Sequence, residues 1–264
     1  MGEDMISQHN IDTVIFDLDG TLINTEKLKD AFKEIAVRYG CTSKEAGEVY
    51  QLSRTKINPE TNREEMAFCR EYFEEKLREF LSKKGKEIGQ VDFSELNKLL
   101  CEDLLIDGAV ELIEETKRMG FDIYLITLGT ESWQKDKLRG SGLGKYFKFD
   151  EGRNSGNILI TADNEQEGGR KIGAIREKFG RLFDGSDVVL FNDKPWETKL
   201  LLEKFPEMQA FVPRQVRDTR YDEGDFERAQ EEVGSKFIWG DSLNKLREEF
   251  ELFLKGERYD GARR

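Results

Sequence analysis

The chain has 264 residues, of which 36% are charged and 37% are apolar, and its formal net charge is −12. This length accommodates one large domain, or a core domain with a smaller companion, and the composition is that of a globular protein with a strongly charged surface. Nucleic-acid binding depends on surplus lysine and arginine, so the acidic balance argues against a nucleic-acid backbone as the main partner.

The first predicted strand covers residues 13–17 (TVIFD) and runs directly into a pair of acidic residues. Asp17 ends the apolar run, and Asp19 follows after a single leucine. Gly20 then allows a backbone geometry that bulkier residues resist, and Thr21 can cap the segment that follows. Asp and Gly are also ordinary turn formers, so DLDG taken alone could be a strand that ends in a turn.

The stretch from residue 26 to about 104 contains helical patterns and no convincing strand. Apolar residues recur at three- and four-residue spacing, with charged residues between them, in segments 27–39, 43–52, 63–83 and 93–104. The pattern predicts a mostly helical insertion after the first strand. Asn24, Thr25 and Glu26 lie at its start, where Thr25 is expected to cap the first helix.

Strands and helices alternate in the rest of the chain. Further strands are predicted at 121–127, 188–192, 210–212 and 236–239, and helices at 108–119, 170–179, 196–205 and 243–254. This alternation indicates an α/β fold with a parallel sheet, and the nearly continuous apolar strands indicate that helices cover both faces. The charged stretch 214–233 is interpreted as a surface excursion, either a helix or a mobile loop.

Cysteine and histidine are too sparse for several common chemistries. Cys41, Cys69 and Cys101 lie far apart and form no CxxC pair, and the single histidine is His9. These counts exclude a Cys/His zinc site and a disulfide framework, and they argue against histidine catalysis. No apolar run approaches a membrane span and no signal-peptide core is present, so a reduced, cytoplasmic protein without a membrane partner is expected.

Asp17 and Asp19 lie at the carboxyl end of a predicted strand, where an open α/β sheet binds its ligands. Two neighbouring carboxylates repel each other there unless a cation or a shared proton neutralises them. Mg²⁺ prefers oxygen ligands and accompanies phosphate substrates, so the pair suits a magnesium site.

The sequence DLDGT after an apolar strand resembles motif I of the haloacid dehalogenase-like (HAD) superfamily. Most members of this superfamily are phosphatases that form an aspartyl-phosphate. The helical insertion makes the chain similar to the phosphoglycolate phosphatase-like branch, which has a C1-type cap. The resemblance implies a Rossmann-like core formed by residues 1–25 and 105–264. It also implies a helical cap formed by 26–104 that closes over the crevice and selects the substrate.

Two later segments are similar to other motifs of the family. In LITLGT, Thr127 matches the hydroxyl residue of motif II, which binds phosphoryl oxygens. In NDKPWE, Asp193 matches the acid of motif IV and Glu197 follows four residues later, although Asn192 stands where glycine is commoner. Taken alone, NDKPWE is equally well explained as a strand that ends in a turn, with Pro195 opening a helix.

The lysine of motif III, which holds the phosphate, is the least specific element of the resemblance. Lys171 is the first choice, because it follows a Gly-Gly turn and opens a helix that leads back to the sheet. Arg170, Lys148 and Lys178 are the alternatives. The family's lysine is often followed by proline, whereas Ile172 follows here.

The resemblance implies an Mg²⁺-dependent phosphatase that acts on a small phosphorylated metabolite. Asp17 is then the nucleophile and a metal ligand, and Asp19 is the general acid and later the general base. The main-chain carbonyl of Asp19 also binds the metal, and Asp193 completes the metal site. Glu197 would lie in the outer shell or touch the metal directly.

Two other functions stay open from the sequence. A phosphomutase would use the same two aspartates but retain the phosphoryl group, and a non-catalytic descendant would bind a phosphorylated ligand or a protein partner. The dehalogenase branch of the family lacks a second acid after the nucleophile, so Asp19 argues against that activity. The physiological substrate and the oligomeric state are left open.

Overall fold

The computed structural model describes residues 11–60, 62, 64–149, 156–161, 169–215 and 218–257, with the side chains of residues 169 and 170 excepted. His9 lies outside the described residues. The elements, in chain order, are β1 (Thr13–Asp17), α1 (Thr25–Arg38), α2 (Ser43–Leu52), β2 (Thr55–Ile57), β3 (Glu64–Met66), α3 (Arg70–Ser82), α4 (Ser94–Glu102), α5 (Ala109–Arg118), β4 (Asp122–Leu128), α6 (Glu131–Gly140), β5 (Ile158–Thr161), α7 (Gly169–Phe179), β6 (Val188–Phe191), α8 (Pro195–Lys204), β7 (Gln209–Pro213), α9 (Glu223–Val233), β8 (Phe237–Gly240) and α10 (Leu243–Leu254).

A six-stranded sheet has the strand order β5-β4-β1-β6-β7-β8. The pairs β1–β6, β6–β7 and β7–β8 are parallel. Phe16 of β1 lies opposite Phe191 of β6, so these two strands end side by side. This sheet and its helices confirm the predicted α/β fold with a Rossmann-like sheet.

The chain divides into two compact units. One comprises Met1–Ile23, Ile106–Leu125 and Ile175–Arg264, and the other comprises Asn24–Leu105 and Ile126–Ala174. The second unit therefore contains the segment predicted as a cap together with a later part of the chain. Across the described residues, no helix combines the length and the apolar character that crossing a bilayer requires.

Stacked phenylalanines hold together the strands of the first unit. The rings of Phe16 and Phe191 lie 5.3 Å apart, and those of Phe191 and Phe211 lie 5.2 Å apart. Phe250 of α10 packs edge-on against Phe191 and Phe211 at 5.6 and 5.4 Å. These are favourable distances for aromatic pairs, and they fix α10 on the strands whose ends carry Asp17 and Asn192.

An aromatic cluster forms the core of the second unit. Phe32 of α1 lies 4.8 Å from both Phe68 and Phe73, measured between ring centroids. Trp133 of α6 lies 5.5 Å from Phe32. Because these large rings are buried, the cluster joins α6 to the helices that precede β4 in the chain.

The prediction that segment 26–104 contains no convincing strand is wrong, and the helix predicted across 63–83 is confirmed only for residues 70–82. Strands β2 and β3 pair antiparallel there, and α3 begins only at Arg70. Asn58 Nδ2 donates to Glu65 Oε1 across the hairpin. Strands of three residues are too short to display an alternating pattern, so a pairing across a loop decides their conformation rather than local periodicity.

The charged stretch 214–233 is partly helical, since it contains α9. A capping box begins this helix, because Asp222 and Asp225 each accept a hydrogen bond from the other's backbone N–H, at 3.0 and 2.9 Å. Arg214 forms ion pairs with Glu223 and Asp241 at 3.0 and 2.8 Å. The first ion pair links the start of the stretch to α9, and the second links it to the residue that follows β8.

The helix that follows β1 is capped by Asn24, and the prediction that Thr25 caps it is wrong. Asn24 Oδ1 accepts the N–H of Lys27 at 3.2 Å, and Thr25 is the first residue of α1. Replacing the cap, Asn24→Ala, is expected to lower the free energy of unfolding by about 1 kcal/mol. Thr25→Ala is expected to change it by less than about 0.5 kcal/mol. Urea denaturation of the two variants measures this difference, and equal losses would contradict the assignment of the cap.

Candidate active site

A tight loop follows β1 and places Asp17 at its entrance. Asp17 is 2% exposed. The carbonyl of Leu18 accepts the N–H groups of both Leu22 and Ile23 at 3.0 Å, and Gly20 N–H donates to the Ile23 carbonyl at 2.9 Å. Gly20 has φ = +90°, in the left-handed region that glycine adopts without a steric penalty. The glycine of DLDGT is therefore required by the shape of this loop.

Asp193 follows β6 and packs against the same loop. Its side chain is buried at 3% exposure, and its backbone N–H donates to Thr21 Oγ1 at 3.0 Å. The Thr21 side chain, which was expected to cap the segment that follows, therefore holds the backbone of Asp193 instead. A Cβ atom on Gly20 would lie 2.2 Å from Asp193 Oδ2, far inside van der Waals contact. The loop after β1 and the Asp193 carboxylate approach each other this closely only because residue 20 has no side chain.

Asn192 explains how the chain turns from β6 into α8. Its side chain is fully buried, and Nδ2 donates to Thr198 Oγ1 at 2.8 Å. The Thr198 hydroxyl in turn donates to the Lys194 carbonyl at 2.8 Å. The family motif commonly has glycine at this position. Here the Asn192 side chain links the end of β6 to the first turn of α8, the helix that carries Glu197.

Lys194 is a cation of this site that the sequence interpretation missed. Its Nζ lies 3.8 Å from Glu197 Oε2. Burial, the largest single effect, lowers the pKa of Lys194, but the carboxylates of Glu197, Asp17 and Asp193 together raise this pKa well above its usual range. Lys194 is therefore protonated and neutralises part of the negative charge around Asp17. Its place directly after Asp193 in NDKPWE was the signal that could have identified it.

A second missed cation, Arg220, lies in the part of the charged stretch 214–233 that precedes α9. Arg220 Nη2 lies 3.4 Å from Asp193 Oδ2, although the two residues are 27 positions apart in sequence. No sequence signal distinguished this arginine from its neighbours. The Asp193 carboxylate therefore has a guanidinium group beside it in addition to the ammonium group of Lys194.

The predicted phosphate-binding residues belong to the second unit. Thr127 lies in β4 and is fully buried, and its carbonyl accepts the Thr161 hydroxyl at 3.4 Å. Lys171 lies in the first turns of α7 and is 2% exposed. Their roles in holding phosphoryl oxygens stay predictions.

The alternatives to Lys171 differ in their surroundings. Lys148 is exposed to solvent. Lys178 places its ammonium group 5.0 Å from the centre of the Tyr124 ring, in a cation–π contact. The side chain of Arg170 lies outside the described residues. Of these lysines, Lys171 alone combines deep burial with a position near the start of α7.

Sequence comparison decides the family of the chain. A family model described as haloacid dehalogenase-like hydrolase matches residues 11–212. The chain belongs to the haloacid dehalogenase-like hydrolases. No curated protein matches it. The family membership confirms the resemblance drawn from DLDGT and assigns the protein to a class of hydrolases.

Solved structures similar to this HAD-like hydrolase share its fold at low sequence identity. An L-2-haloacid dehalogenase from Xanthobacter autotrophicus has a TM-score of 0.53 at 12% identity, over 91% of this chain and 98% of that one. A HAD-like hydrolase from Xanthomonas campestris reaches 0.56 at 14% identity, over 95% and 100%. A Thermotoga maritima protein assigned as a β-phosphoglucomutase has 0.53 at 16% identity, over 91% and 99%. At these identities the likeness shows the fold alone.

The oxygen atoms at this edge of the HAD-like core fit the magnesium ion that the family uses. Asp17 and Asp193 provide two buried carboxylates beside the loop that carries the main-chain carbonyl of Asp19. Mg²⁺ is commonly bound through one or two carboxylates and completes its shell with water. In the part of the chain that the structure describes, no three His, Cys, Asp or Glu side chains are grouped to hold a metal. A metal ion at this edge would be held by the two carboxylates and the main-chain carbonyl of Asp19, with water completing its shell.

Proposed function

We propose that this HAD-like hydrolase is an Mg²⁺-dependent phosphatase that hydrolyses a small phosphomonoester through an aspartyl-phosphate on Asp17. The observation that carries the proposal is the placement of two buried carboxylates, Asp17 and Asp193, beside the protonated Lys194. A phosphoryl group is anionic, so it needs positive charge next to the nucleophile that attacks it. The proposed partner is a small phosphorylated metabolite rather than a nucleic acid.

Asp17 and Asp19 would divide the chemistry between them. An oxygen of the Asp17 carboxylate attacks phosphorus, the ester P–O bond breaks, and Asp19 gives its proton to the leaving alkoxide. The Asp19 carboxylate then takes a proton from water, whose oxygen attacks the phosphorus of the aspartyl-phosphate. The bond to Asp17 breaks and inorganic phosphate leaves. Asp19 is only partly buried, which suits a group that must reach both the leaving group and water.

The remaining polar groups would hold the phosphoryl oxygens and the metal. Asp17, Asp193 and the carbonyl of Asp19 would bind Mg²⁺, which supplies positive charge that stabilises the charge developing on the phosphoryl oxygens. Thr127 and Lys171 are the proposed ligands of those oxygens. Lys194 reduces the repulsion between the carboxylates, as its raised pKa indicates.

Replacing the proposed acid and base tests this division of roles. Asp19→Asn is expected to slow phosphate release by roughly a hundred- to ten-thousand-fold, since the amide cannot take a proton from water. With p-nitrophenyl phosphate, whose leaving group needs little protonation, phosphorylated protein is expected to accumulate. Rapid acid quenching and intact-protein mass spectrometry detect that species.

The matched control for this variant is Asp12→Asn, which alters an exposed acid just before β1 and is expected to keep the wild-type rate. Slow release by Asp19→Asn without phosphorylated protein would contradict the role of Asp19 as base for the second step. Wild-type release rates in Asp19→Asn would contradict both of its roles.

A phosphorus NMR assay with a sugar monophosphate separates the proposed activity from its alternatives. Inorganic phosphate is the expected product. An isomeric sugar phosphate without released phosphate would identify a phosphomutase. No reaction across a panel of phosphorylated metabolites, with and without Mg²⁺, would favour a non-catalytic ligand-binding protein.

A further inference from the structure

Arg220 is fixed in place by an acid on its own segment. The Asp218 carboxylate accepts Arg220 Nε–H at 2.8 and 2.9 Å from its two oxygens, and it also accepts from Nη2. The Asp218 side chain is only 10% exposed. The guanidinium group also lies 5.5 Å from the centre of the Tyr221 ring. Because Asp218 binds one edge of the guanidinium, the orientation of its remaining N–H groups is fixed.

One of those groups faces the carboxylate of Asp193. The contact joins Arg220 Nη2 to Asp193 Oδ2 at 3.4 Å, and Asp193 is almost fully buried whereas Arg220 is about half exposed. Oδ2 is also the Asp193 oxygen that would lie nearest to a Cβ atom at residue 20. The Arg220 guanidinium thus neutralises the Asp193 carboxylate, which lies against the DLDGT loop. Arg220 itself belongs to a segment outside the family motifs.

We propose that Arg220, held by Asp218, is a positioning residue that limits the affinity of the metal site by pairing with Asp193. The inference rests on the proposed function, because it takes Asp193 as a ligand of Mg²⁺. A divalent cation at Asp193 meets the repulsion of a fixed guanidinium a few ångströms away, and that repulsion is weakly screened where the carboxylate is buried. Bound Mg²⁺ must therefore share the Asp193 carboxylate with Arg220 or displace the guanidinium.

Lys194 does not make Arg220 redundant. Its ammonium group interacts electrostatically with three carboxylates, those of Glu197, Asp17 and Asp193. Removing Lys194 would therefore change the electrostatic environment of all three. Arg220 interacts with Asp193 and Asp218. Of these two cations, Arg220 is the one whose removal changes the charge at Asp193 while the charges beside Asp17 are left intact.

Isothermal titration calorimetry of the full chain with MgCl₂ tests the inference without depending on activity. Arg220→Gln removes the charge and is expected to bind Mg²⁺ at least about tenfold more tightly than wild type, because a repulsive unit charge near a buried ligand is lost. Arg220→Lys keeps the charge and is expected to stay within about threefold of wild type. Thermal denaturation with and without Mg²⁺ provides a second readout, since a ligand stabilises the folded state according to its affinity.

Arg214→Gln is the matched control, because Arg214 lies on the same connection but pairs with Glu223 and Asp241. Its affinity for Mg²⁺ is expected to remain at the wild-type value. Asp193→Asn tests the metal site itself and is expected to abolish binding.

The outcomes distinguish this inference from the proposed function. If wild type binds Mg²⁺ and Asp193→Asn does not, the metal site stands. Unchanged or weaker binding by Arg220→Gln then overturns the role of Arg220 alone. Tight binding by both Arg220→Gln and Arg220→Lys would also overturn it, because charge would not be the cause. If neither wild type nor Arg220→Gln binds Mg²⁺, both the inference and the metal-dependent function fail.

Discussion

The Asp17→Asn variant is expected to lose Mg²⁺-dependent release of phosphate from p-nitrophenyl phosphate by roughly ten-thousand-fold or more. The side-chain amide has nearly the same shape as the carboxylate, but it is a poor nucleophile and cannot form the aspartyl-phosphate. Asp17 is buried at the end of β1, so the strand fixes the position of its carboxylate. The loss should therefore appear in kcat rather than in substrate binding.

A colorimetric assay on purified protein measures this loss, and circular dichroism checks that the variant is folded. The Asp12→Asn control makes the same carboxylate-to-amide change just before β1 and is expected to retain full activity. Beryllium fluoride with Mg²⁺ is expected to form an adduct with wild type and not with Asp17→Asn. Phosphate release within tenfold of wild type by a folded Asp17→Asn protein would refute the nucleophile assignment.

The Gly20→Ala variant is expected to be destabilised by about 2–5 kcal/mol, the sum of backbone strain and a steric clash. The strain arises because φ is +90° at this residue. The clash arises because the new Cβ would lie 2.2 Å from Asp193 Oδ2 and 2.7 Å from Cγ. Relief of the clash requires Asp193 to move, so phosphate release and Mg²⁺ affinity should fall even in the fraction that stays folded.

Two other glycines separate the strain from the clash. Gly85 has φ = +72° and open space where a Cβ atom would lie, so Gly85→Ala is expected to cost only about 1–2 kcal/mol of strain. Gly47 lies within α2 with open space around it, and Gly47→Ala is expected to stabilise the protein by up to about 1 kcal/mol. Chemical denaturation measures all three variants. Equal losses for Gly20→Ala and Gly85→Ala would show that the close approach to Asp193 carries no energetic weight.

Local sequence patterns were sufficient for the elements that bury their own apolar residues. The boundaries of β1, α2 and α10 agree with the predicted segments 13–17, 43–52 and 243–254. In each case the pattern of apolar residues, ended by capping or turn residues, specifies both the type and the limits of the element. The position of Asp17 at the end of a buried strand could be predicted for the same reason.

Short or charged segments were predicted less well, because their conformation depends on partners elsewhere in the chain. The hairpin of β2 and β3 has three-residue strands, which carry no periodic signal. The strand β5 and the helix α6 were also absent from the predicted elements. The helix α6 illustrates the reason. Its Trp133 ring packs against Phe32, about a hundred residues earlier in the chain, and no local sequence pattern encodes such a contact.

The sequence by itself determined the family, the α/β class and the two aspartates of DLDGT, because each of these depends on residue types at short, fixed spacing. Only the tertiary structure decided which charges surround those acids. Lys194 interacts with Asp17 because parallel strands β1 and β6 end side by side, and Arg220 meets Asp193 because the connection after β7 returns to that edge. Electrostatic interactions act through space over a few ångströms, so strand order and loop path determine the partners of each charge.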